Sequence, residues 1–368
     1  MAPRSALAPV LARPRVKRYP GYPVVSALVL CGAGGVFCSY LHIPLPWIIG
    51  PLLAMAIGKF AGARLAPPKG ARETGQVVIA CALGLYFSPA VGREVAAHWY
   101  LLVFAALLAV GLAYASGWFL TRSAGIDATT ALFASVPGGA AEMTVLGERF
   151  GARPDRVALA QSLRIMLVVL IVPASITLLG VHGSDFFQPA QLEVNPARLF
   201  GLLAVTAAAG WALTRFRMPN AWMLGPLFVT ISLTVAEVPL SAVPTALTNI
   251  AQLLIGCALG SRFEREFLRS APRFIAMVCV SVVLAIVLSA LFGWGIAAVG
   301  AIAIPTMVLA TAPGGITEMC ITAKVLQLGV PVVTAAHVTR VIILVFMTGP
   351  IFRVARMLRQ RLKRTPHS

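Results

Sequence analysis

The chain has 368 residues, of which 59% are hydrophobic and only 11% are charged. Soluble domains carry about 25% charged residues and rarely stay apolar over twenty consecutive positions, so this composition excludes an ordinary soluble domain. The formal net charge of +18 lies mainly in a basic leader, a basic tail and short loops. Such clusters normally orient a membrane protein instead of binding nucleic acid. We therefore predict an all-α polytopic membrane protein.

The first apolar run, at about residues 22–41, follows the basic leader and so resembles a secretory signal peptide. Its length fits a membrane span better than the short core of a cleaved signal, and no small-x-small cleavage site follows it. Further apolar segments continue towards the C-terminus. We expect this run to be retained as the first span.

Two halves of the chain repeat each other. The segments QVVIACALG and QLLIGCALG, and the segments PGGAAEM and PGGITEM, recur with an offset of 176 residues. Arg164 falls on Arg340 with the same offset. This duplication dictates the architecture. It predicts a leader at residues 1–21 and a first membrane repeat at 22–181. A linker at 182–196 then leads to a second membrane repeat at 197–353, which is followed by a tail at 354–368.

The basic clusters predict that the two halves are inverted relative to each other. In the first half, clusters precede the first apolar segment and follow the second and the fifth, and the cluster after the second contains Lys59, Arg64, Lys69 and Arg72. In the second half, clusters follow the first and third segments and fill the tail. Cytoplasmic loops are rich in Lys and Arg. Because the basic clusters follow different segments in the two halves, equivalent segments are expected to cross the membrane in opposite directions, which is the inverted-repeat plan of many secondary transporters.

Each half contains six apolar segments. They lie near 22–41, 46–62, 74–91, 98–120, 128–147 and 157–180, and near 197–213, 221–238, 246–261, 273–297, 299–325 and 331–352. If all six crossed the membrane, basic clusters of the second half would face outside. If the fifth segment of each half enters and leaves on one side, every basic cluster is cytoplasmic. We therefore predict two inverted repeats of five transmembrane helices, each with a re-entrant hairpin.

Each hairpin is predicted to turn at a Pro-Gly-Gly sequence, formed by Pro137, Gly138 and Gly139 and by Pro313, Gly314 and Gly315. Proline breaks a helix, and glycine takes backbone angles that are closed to other residues. Non-helical backbone at membrane depth must be buried in protein or line a watery cavity, so the two tips are expected to meet near the midplane. The helix that restarts after each tip presents free N–H groups that attract anions.

Glu142 and Glu318 each lie three residues after the second glycine. One interpretation is helix capping, because an acid in the first turn stabilises the helix dipole. The other is a proton or cation site, because an ionisable group within the membrane is costly and suggests a function. The two interpretations are compatible and both remain open.

Arg164 and Arg340 lie in the span that follows each hairpin, 22 residues after the corresponding glutamate. Most simply, each arginine neutralises its glutamate; alternatively, one binds an anionic substrate directly. Gln161 and its counterpart His337 lie one helical turn earlier and are weaker candidates on the same face.

The duplicated halves, with PGGAAEM, PGGITEM and the repeated CALG, closely resemble the AbrB family of bacterial inner-membrane proteins over about residues 22–353. That resemblance implies a multi-pass protein of the bacterial inner membrane, and both basic termini are expected in the cytoplasm. Family members are often labelled ammonia monooxygenases, and the family name comes from a proposed role in regulating gene expression. In architecture only, the plan is also similar to elevator-type carboxylate transporters, an analogy that implies a homodimer.

Three functions follow from these features. A secondary transporter of a small anionic solute, coupled to protons, is favoured by the inverted repeats and the paired ionisable residues. A membrane-embedded regulator or sensor is the alternative. An ammonia monooxygenase is least favoured: the five histidines and six cysteines show no paired ligand spacing, so neither a metal nor a cofactor is expected. We expect no enzyme activity and no nucleic-acid partner.

Overall fold

The computed structural model describes residues 22–180, 193–216, 218–263 and 272–344, and every regular element in these ranges is an α-helix. The first half forms α1 (Tyr22–Tyr40), α2 (Pro46–Phe60), α3 (Ala71–Gly84), α4 (Pro89–Ala97), α5 (Trp99–Ser123), α6 (Ala128–Ser135), α7 (Ala140–Arg149) and α8 (Pro154–Leu178). The second half forms α9 (Pro196–Arg215), α10 (Ala221–Val235), α11 (Thr245–Gly260), α12 (Pro272–Gly300), α13 (Ile304–Thr311), α14 (Ile316–Val325) and α15 (Val330–Leu344). The predicted leader, tail and most of the linker lie outside the described residues.

Five of the described helices are long and apolar enough to cross a membrane, namely α1, α5, α8, α9 and α12. Four further apolar helices, α2, α10, α11 and the described part of α15, have between 10 and 17 residues. A 15-residue helix is about 22 Å long, which is less than the roughly 30 Å of a hydrocarbon core. The all-helical architecture with these apolar helices is consistent with a polytopic membrane protein, as the composition predicts.

The predicted apolar segment at residues 74–91 is not one helix, which corrects the sequence analysis. α3 ends at Gly84, and α4 leaves it at an angle of 91°. The Ser88 side chain accepts a hydrogen bond from the Val91 N–H at 3.4 Å, and Pro89 is the first residue of α4. Serine at the N-cap and proline in the first turn are a helix start signal, so the chain begins a new helix here instead of extending α3.

The helices pack into two groups, and each group contains helices from both halves of the chain. In one group, α1 packs against α2 and α9 against α10, while α2 packs against α11 and α3 packs against α10. In the other group, α5 packs against α6 and α12, and α8 packs against α6, α7 and α12. The first group thus contains the first three apolar helices of each half, and the second contains the helices around the Pro-Gly-Gly segments.

Close approach of α1 and α2 depends on glycine. A Cβ atom added to Gly34 would lie 2.7 Å from the Gly50 carbonyl oxygen, and one added to Gly50 would overlap the backbone of Gly34. Small residues at such crossings let helix backbones approach closely, which is how helices associate within a bilayer.

We expect Gly50→Ala to destabilise the protein by about 1–3 kcal/mol, because the added methyl group must push two helix backbones apart. Gly32→Ala is the matched control, since a Cβ atom there meets nothing within 4 Å and alanine favours a helix. Thermal unfolding of the purified variants in detergent measures the difference. Equal melting temperatures would show that α1 and α2 separate without cost.

Helices α5 and α12 run antiparallel. The Arg273 side chain, at the start of α12, donates to the Ser123 carbonyl oxygen at the end of α5 at 3.2 Å. At the other end, a Cβ atom on Gly300 would lie 2.5 Å from Leu101 Cδ1. α6 follows α5 and α13 follows α12, so the two Pro-Gly-Gly segments start at opposite ends of this pair.

Each Pro-Gly-Gly segment folds back on itself. In the first, the Arg153 N–H after α7 donates to Thr130 Oγ1 near the start of α6 at 2.9 Å, and the rings of Phe133 and Phe150 stack with centroids 5.8 Å apart. In the second, Gly329, after α14, packs against Thr306 at the start of α13. The beginning and end of each segment therefore lie side by side, with the Pro-Gly-Gly sequence at the far tip.

Candidate functional site

The backbone breaks at the two tips as the prolines predict. α6 ends at Ser135, and Val136 is extended with φ −63° and ψ 125°. α13 ends at Thr311, and Ala312 has φ −54° and ψ 141°. Proline disfavours helical angles in the preceding residue, so Pro137 and its counterpart end each helix at this point.

The tip glycines act through their small size, which corrects the sequence expectation of unusual backbone angles. Gly139 has φ −56° and Gly315 has φ −78°, angles that other residues adopt. A Cβ atom on Gly138 would lie 2.7 Å from Met143 Cγ, and the equivalent Gly314 approaches Met319 in the same way. The first glycine of each motif thus makes room for its methionine.

The second glycine makes room for the glutamate. A Cβ atom on Gly139 would overlap the Glu142 carboxylate, and one on Gly315 would overlap the Glu318 carboxylate. Each carboxylate therefore lies over the start of its own helix, where the N–H groups and the positive end of the dipole stabilise it. The repeated P-G-G-x-x-E-M pattern is explained by two side chains that fold back over two glycines.

The two arginines bind the carbonyl groups at the tips. Arg164 Nη1 donates to the Val136 carbonyl oxygen at 3.1 Å, and Arg340 Nη1 donates to the equivalent Ala312 carbonyl oxygen at 2.7 Å. Arg340 Nη2 also donates to the Gly314 carbonyl oxygen. The last carbonyls of a helix lack intrahelical partners and carry the negative end of the dipole, so a buried cation stabilises them.

Gln161 and His337 bind the same helix ends one turn earlier. Gln161 Nε2 donates to the Phe133 carbonyl oxygen at 2.7 Å and to the Val136 carbonyl oxygen at 2.8 Å. His337 Nε2 lies 3.0 Å from the carbonyl oxygen of Leu309, the counterpart of Phe133. Both halves therefore use two polar side chains of the following helix to hold the first hairpin helix.

The simple neutralisation of each glutamate by its arginine is not seen as a direct contact. Within the described ranges, no ion pair with an N–O distance of 4.0 Å or less joins Glu142 to Arg164 or Glu318 to Arg340. The guanidinium groups instead lie on backbone carbonyls and the carboxylates on helix starts. Each charge is stabilised first by backbone dipoles of its own hairpin.

The two glutamates have different surroundings. Glu318 is 4% exposed, whereas Glu142 is only half-buried. Glu142 Oε1 accepts a long hydrogen bond, 3.5 Å, from the N–H of Asn220 at the start of α10. Near Glu318, Thr317 Oγ1 accepts from Gln76 Nε2 of α3 at 3.4 Å. The hairpins therefore meet different parts of the α1–α3 and α9–α11 group.

A single cavity, here called the central cavity, brings the two tips together. It is lined by Arg72, Pro137, Gly138, Gly139, Ala140, Arg164, Ile165, Asn220, Gly315, Ile316, Thr317, Glu318, Arg340 and Val341. Of the ten predicted site residues, seven line it, and Glu142, Pro313 and Gly314 do not. Its lining carries three arginines against one glutamate, an excess of positive charge that favours an anion.

Seven lining residues were not predicted as site residues, and Arg72 and Asn220 are the two of them with polar side chains outside the hairpins. Arg72 was assigned to a cytoplasmic loop cluster, but it lies in the first turn of α3 and faces the central cavity. Asn220 precedes α10 with a left-handed φ of 51°. An arginine placed just inside an apolar helix start is a signal that could have separated Arg72 from its loop neighbours.

The polar atoms of this site are incompletely paired. In the part of the chain that the structure describes, five side-chain atoms that are themselves fully buried lack a hydrogen-bond partner: Glu142 Oε2, Gln161 Oε1, Arg164 Nε, His337 Nδ1 and Arg340 Nε. All five belong to the hairpins and the helices that hold them. Buried polar groups are nearly always paired, so such a cluster marks a place where water or a ligand binds.

The chain matches the family described as "Transition state regulatory protein AbrB" over residues 47–356. It is 27% identical over 357 residues to "Uncharacterized protein YhjN" of Bacillus subtilis (strain 168), an alignment covering 89% of this chain and 91% of that protein. It is 26% identical over 317 residues to "Putative regulator AbrB" of Escherichia coli (strain K12), covering 84% and 89% respectively. The family match includes both Pro-Gly-Gly segments and both membrane arginines. The chain therefore belongs to the AbrB family.

Proposed function

We propose that this protein is a secondary transporter that moves a small anionic solute through the central cavity. The observation that carries the proposal is the meeting of both hairpin tips with Arg72, Arg164, Arg340 and Glu318 around one space. Two helix starts, at Ala140 and Ile316, line the same space and offer partial positive charge. A small carboxylate or similar anion matches this chemistry, and no enzyme activity is required of the site.

The arrangement of the hairpins supports alternating access. α5 and α12 are antiparallel, and each hairpin folds back to the end at which it starts, so the two tips approach each other from opposite ends of the bundle. Inverted repeats with a site between broken helices are the plan of many secondary transporters. We infer that the hairpins are re-entrant, one from each face of a bacterial inner membrane, with both termini in the cytoplasm.

The size of the central cavity indicates a closed conformation. Its volume is about 20 Å³, taken as the space that the centre of a water molecule can occupy. One water needs roughly 10–15 Å³ by this measure, so an organic anion enters only when the tips move apart. Among the described residues, the links from Gln76 Nε2 to Thr317 Oγ1 at 3.4 Å and from the Asn220 N–H to Glu142 Oε1 at 3.5 Å are long, which permits that movement.

Glu318 supplies a reason for proton coupling. An anion in the central cavity and an ionised Glu318 repel each other, so the anion binds best when the glutamate carries a proton. By thermodynamic linkage the proton and the anion then favour each other's binding. The proposed reaction is therefore co-transport of a proton with a small anion, and the analogy with elevator-type transporters suggests a homodimer.

The test is uptake or efflux by the purified protein in vesicles, screened over small carboxylates with and without a proton gradient. We expect saturable transport of at least one anion that rises with the gradient and that needs a higher anion concentration for half-maximal transport in Arg164→Gln. Binding of an anion without any movement across the vesicle membrane would instead favour the membrane-embedded regulator or sensor, and the name of the Escherichia coli relative contains the word regulator.

Cysteine labelling tests the re-entrant hairpins. In a variant without the native cysteines, we expect cysteines at Arg122 and Arg153 to be labelled from one side, and cysteines at Val299 and Gln327 from the other. All four positions are exposed and flank the hairpins. Labelling of Arg122 and Arg153 from opposite sides would mean that the first Pro-Gly-Gly segment crosses the bilayer, which contradicts the proposed topology.

A further inference from the structure

A second cavity lies beside the central one and shares Arg164 with it. It is lined by Ser116, Leu120, Ala134, Ser135, Ala160, Arg164, Val278, Ser281, Val282 and Ala285, from helices α5, α6, α8 and α12. Its volume, about 20 Å³ by the same measure, is enough for a water molecule or a halide-sized ion. This space is here called the serine cavity.

The serine cavity contains unused hydrogen-bond donors. Serine in a helix commonly bonds to a carbonyl of the preceding turn, as Ser135 does to Ala131 at 2.9 Å. Among the described residues, the hydroxyls of Ser116 and Ser281 form no such bond, although Ser281 is only 6% exposed. Arg164 is also 6% exposed and its Nε atom has no partner. A buried cation and two free hydroxyls together favour a small anion.

The internal duplication does not repeat the two hydroxyls of the serine cavity. At the offset of 176 residues, Ser116 corresponds to Phe292 and Ser281 to Ala105. The equivalent positions therefore carry a ring in the second half and a methyl group in the first half, in place of the two hydroxyls. Arg340 lines the central cavity and is absent from the lining of the serine cavity.

Arg164 is suited to serve both cavities because the carbonyl group that it binds also has other hydrogen-bond donors. The Val136 carbonyl oxygen that it binds also accepts from Gln161 Nε2 at 2.8 Å and from the Gly138 N–H at 2.8 Å. The tip thus keeps its shape when Arg164 turns towards an anion. An anion that moves from one cavity to the other remains paired with the same guanidinium throughout.

We propose that the serine cavity is a second anion site, in series with the central cavity, and that Arg164 passes a halide-sized anion between them. This inference rests on the proposed transport function, for which it supplies an entry or exit route on one side of the site. The predicted order is binding by Ser116, Ser281 and Arg164, followed by transfer to the tips, Arg340 and the helix starts. No covalent step is involved.

Bromide is the probe, used with the full-length protein in detergent. Anomalous scattering from bromide-soaked crystals is expected to show an ion between Arg164 and Ser281, and stabilisation by bromide relative to gluconate at constant ionic strength gives its affinity. Ser281→Ala is expected to weaken that affinity at least about tenfold, the effect of one lost hydrogen bond to a charged group. Ser289→Ala is the matched control, because Ser289 is buried on the same helix but bonds to the Ile286 carbonyl oxygen.

Ser116→Phe introduces the side chain found at the equivalent position of the second half. We expect it to fill the serine cavity and remove the bromide there while bromide in the central cavity persists. Bromide in the central cavity alone of the unaltered protein, or an affinity unchanged by Ser281→Ala, overturns the second site and leaves the transporter proposal standing. Water in both cavities overturns the second site as well, and the vesicle assay then decides the transporter proposal separately.

Discussion

Arg340→Gln is expected to destabilise the protein by roughly 2–6 kcal/mol, because it removes the donors of two buried carbonyl groups at about 1–3 kcal/mol each. Among the described residues, Arg340 is the only donor to the carbonyl oxygens of Ala312 and Gly314, and it is 2% exposed. Arg164→Gln is the matched comparison. It is expected to cost about 1 kcal/mol, since the Val136 carbonyl oxygen keeps Gln161 and Gly138 as donors. Thermal unfolding in detergent measures both.

We expect transport to depend more on Arg164 than on Arg340, the reverse of their effects on stability. Arg164→Gln is expected to leave the fold intact and to raise the anion concentration needed for half-maximal transport, because Arg164 lines both cavities. If Arg340 acts mainly by neutralising Glu318, the double variant with Glu318→Gln will regain most of the lost stability. We expect little recovery, because the carbonyl groups remain without a donor. Equal losses of stability at Arg164 and Arg340 would contradict the proposed division between a structural and a solute-binding arginine.

The duplicated Pro-Gly-Gly sequence predicted where the hairpin helices break, because proline disfavours helical angles in the residue before it. The tips do break at Val136 and Ala312, and most of the predicted site residues surround one cavity. The family resemblance is confirmed by the family match.

Sequence reasoning failed where tertiary packing decides the role of a residue. The glycines were expected to take backbone angles that are closed to other residues, but they accommodate the side chains of Met143, Glu142 and their counterparts. The arginines were paired with carboxylates because opposite charges at matching positions suggest it, whereas the nearest unsatisfied groups are carbonyls of the same hairpin. Arg72 was counted as a loop cation, since charge clustering alone cannot show which member faces inward.

Glu318→Gln is expected to abolish the dependence of transport on a proton gradient, whereas Glu142→Gln should preserve it. Glu318 is 4% exposed and lines the central cavity beside Arg164 and Arg340, so its protonation is felt by a bound anion. Glu142 is half-buried, lies outside the cavity lining and accepts from the Asn220 N–H, which suits a helix cap that also anchors the hairpin.

The measurement is anion uptake into vesicles at fixed anion concentration, with and without an inward proton gradient. Coupling free energies of 1–3 kcal/mol correspond to a stimulation of roughly 5–150-fold, which Glu318→Gln should remove because glutamine resembles the protonated acid permanently. Glu148→Gln, an exposed position on α7, is the control for altered surface charge. Mild and indistinguishable effects of Glu318→Gln and Glu142→Gln would show that both carboxylates only cap their helices, and the proton would then have to be coupled elsewhere.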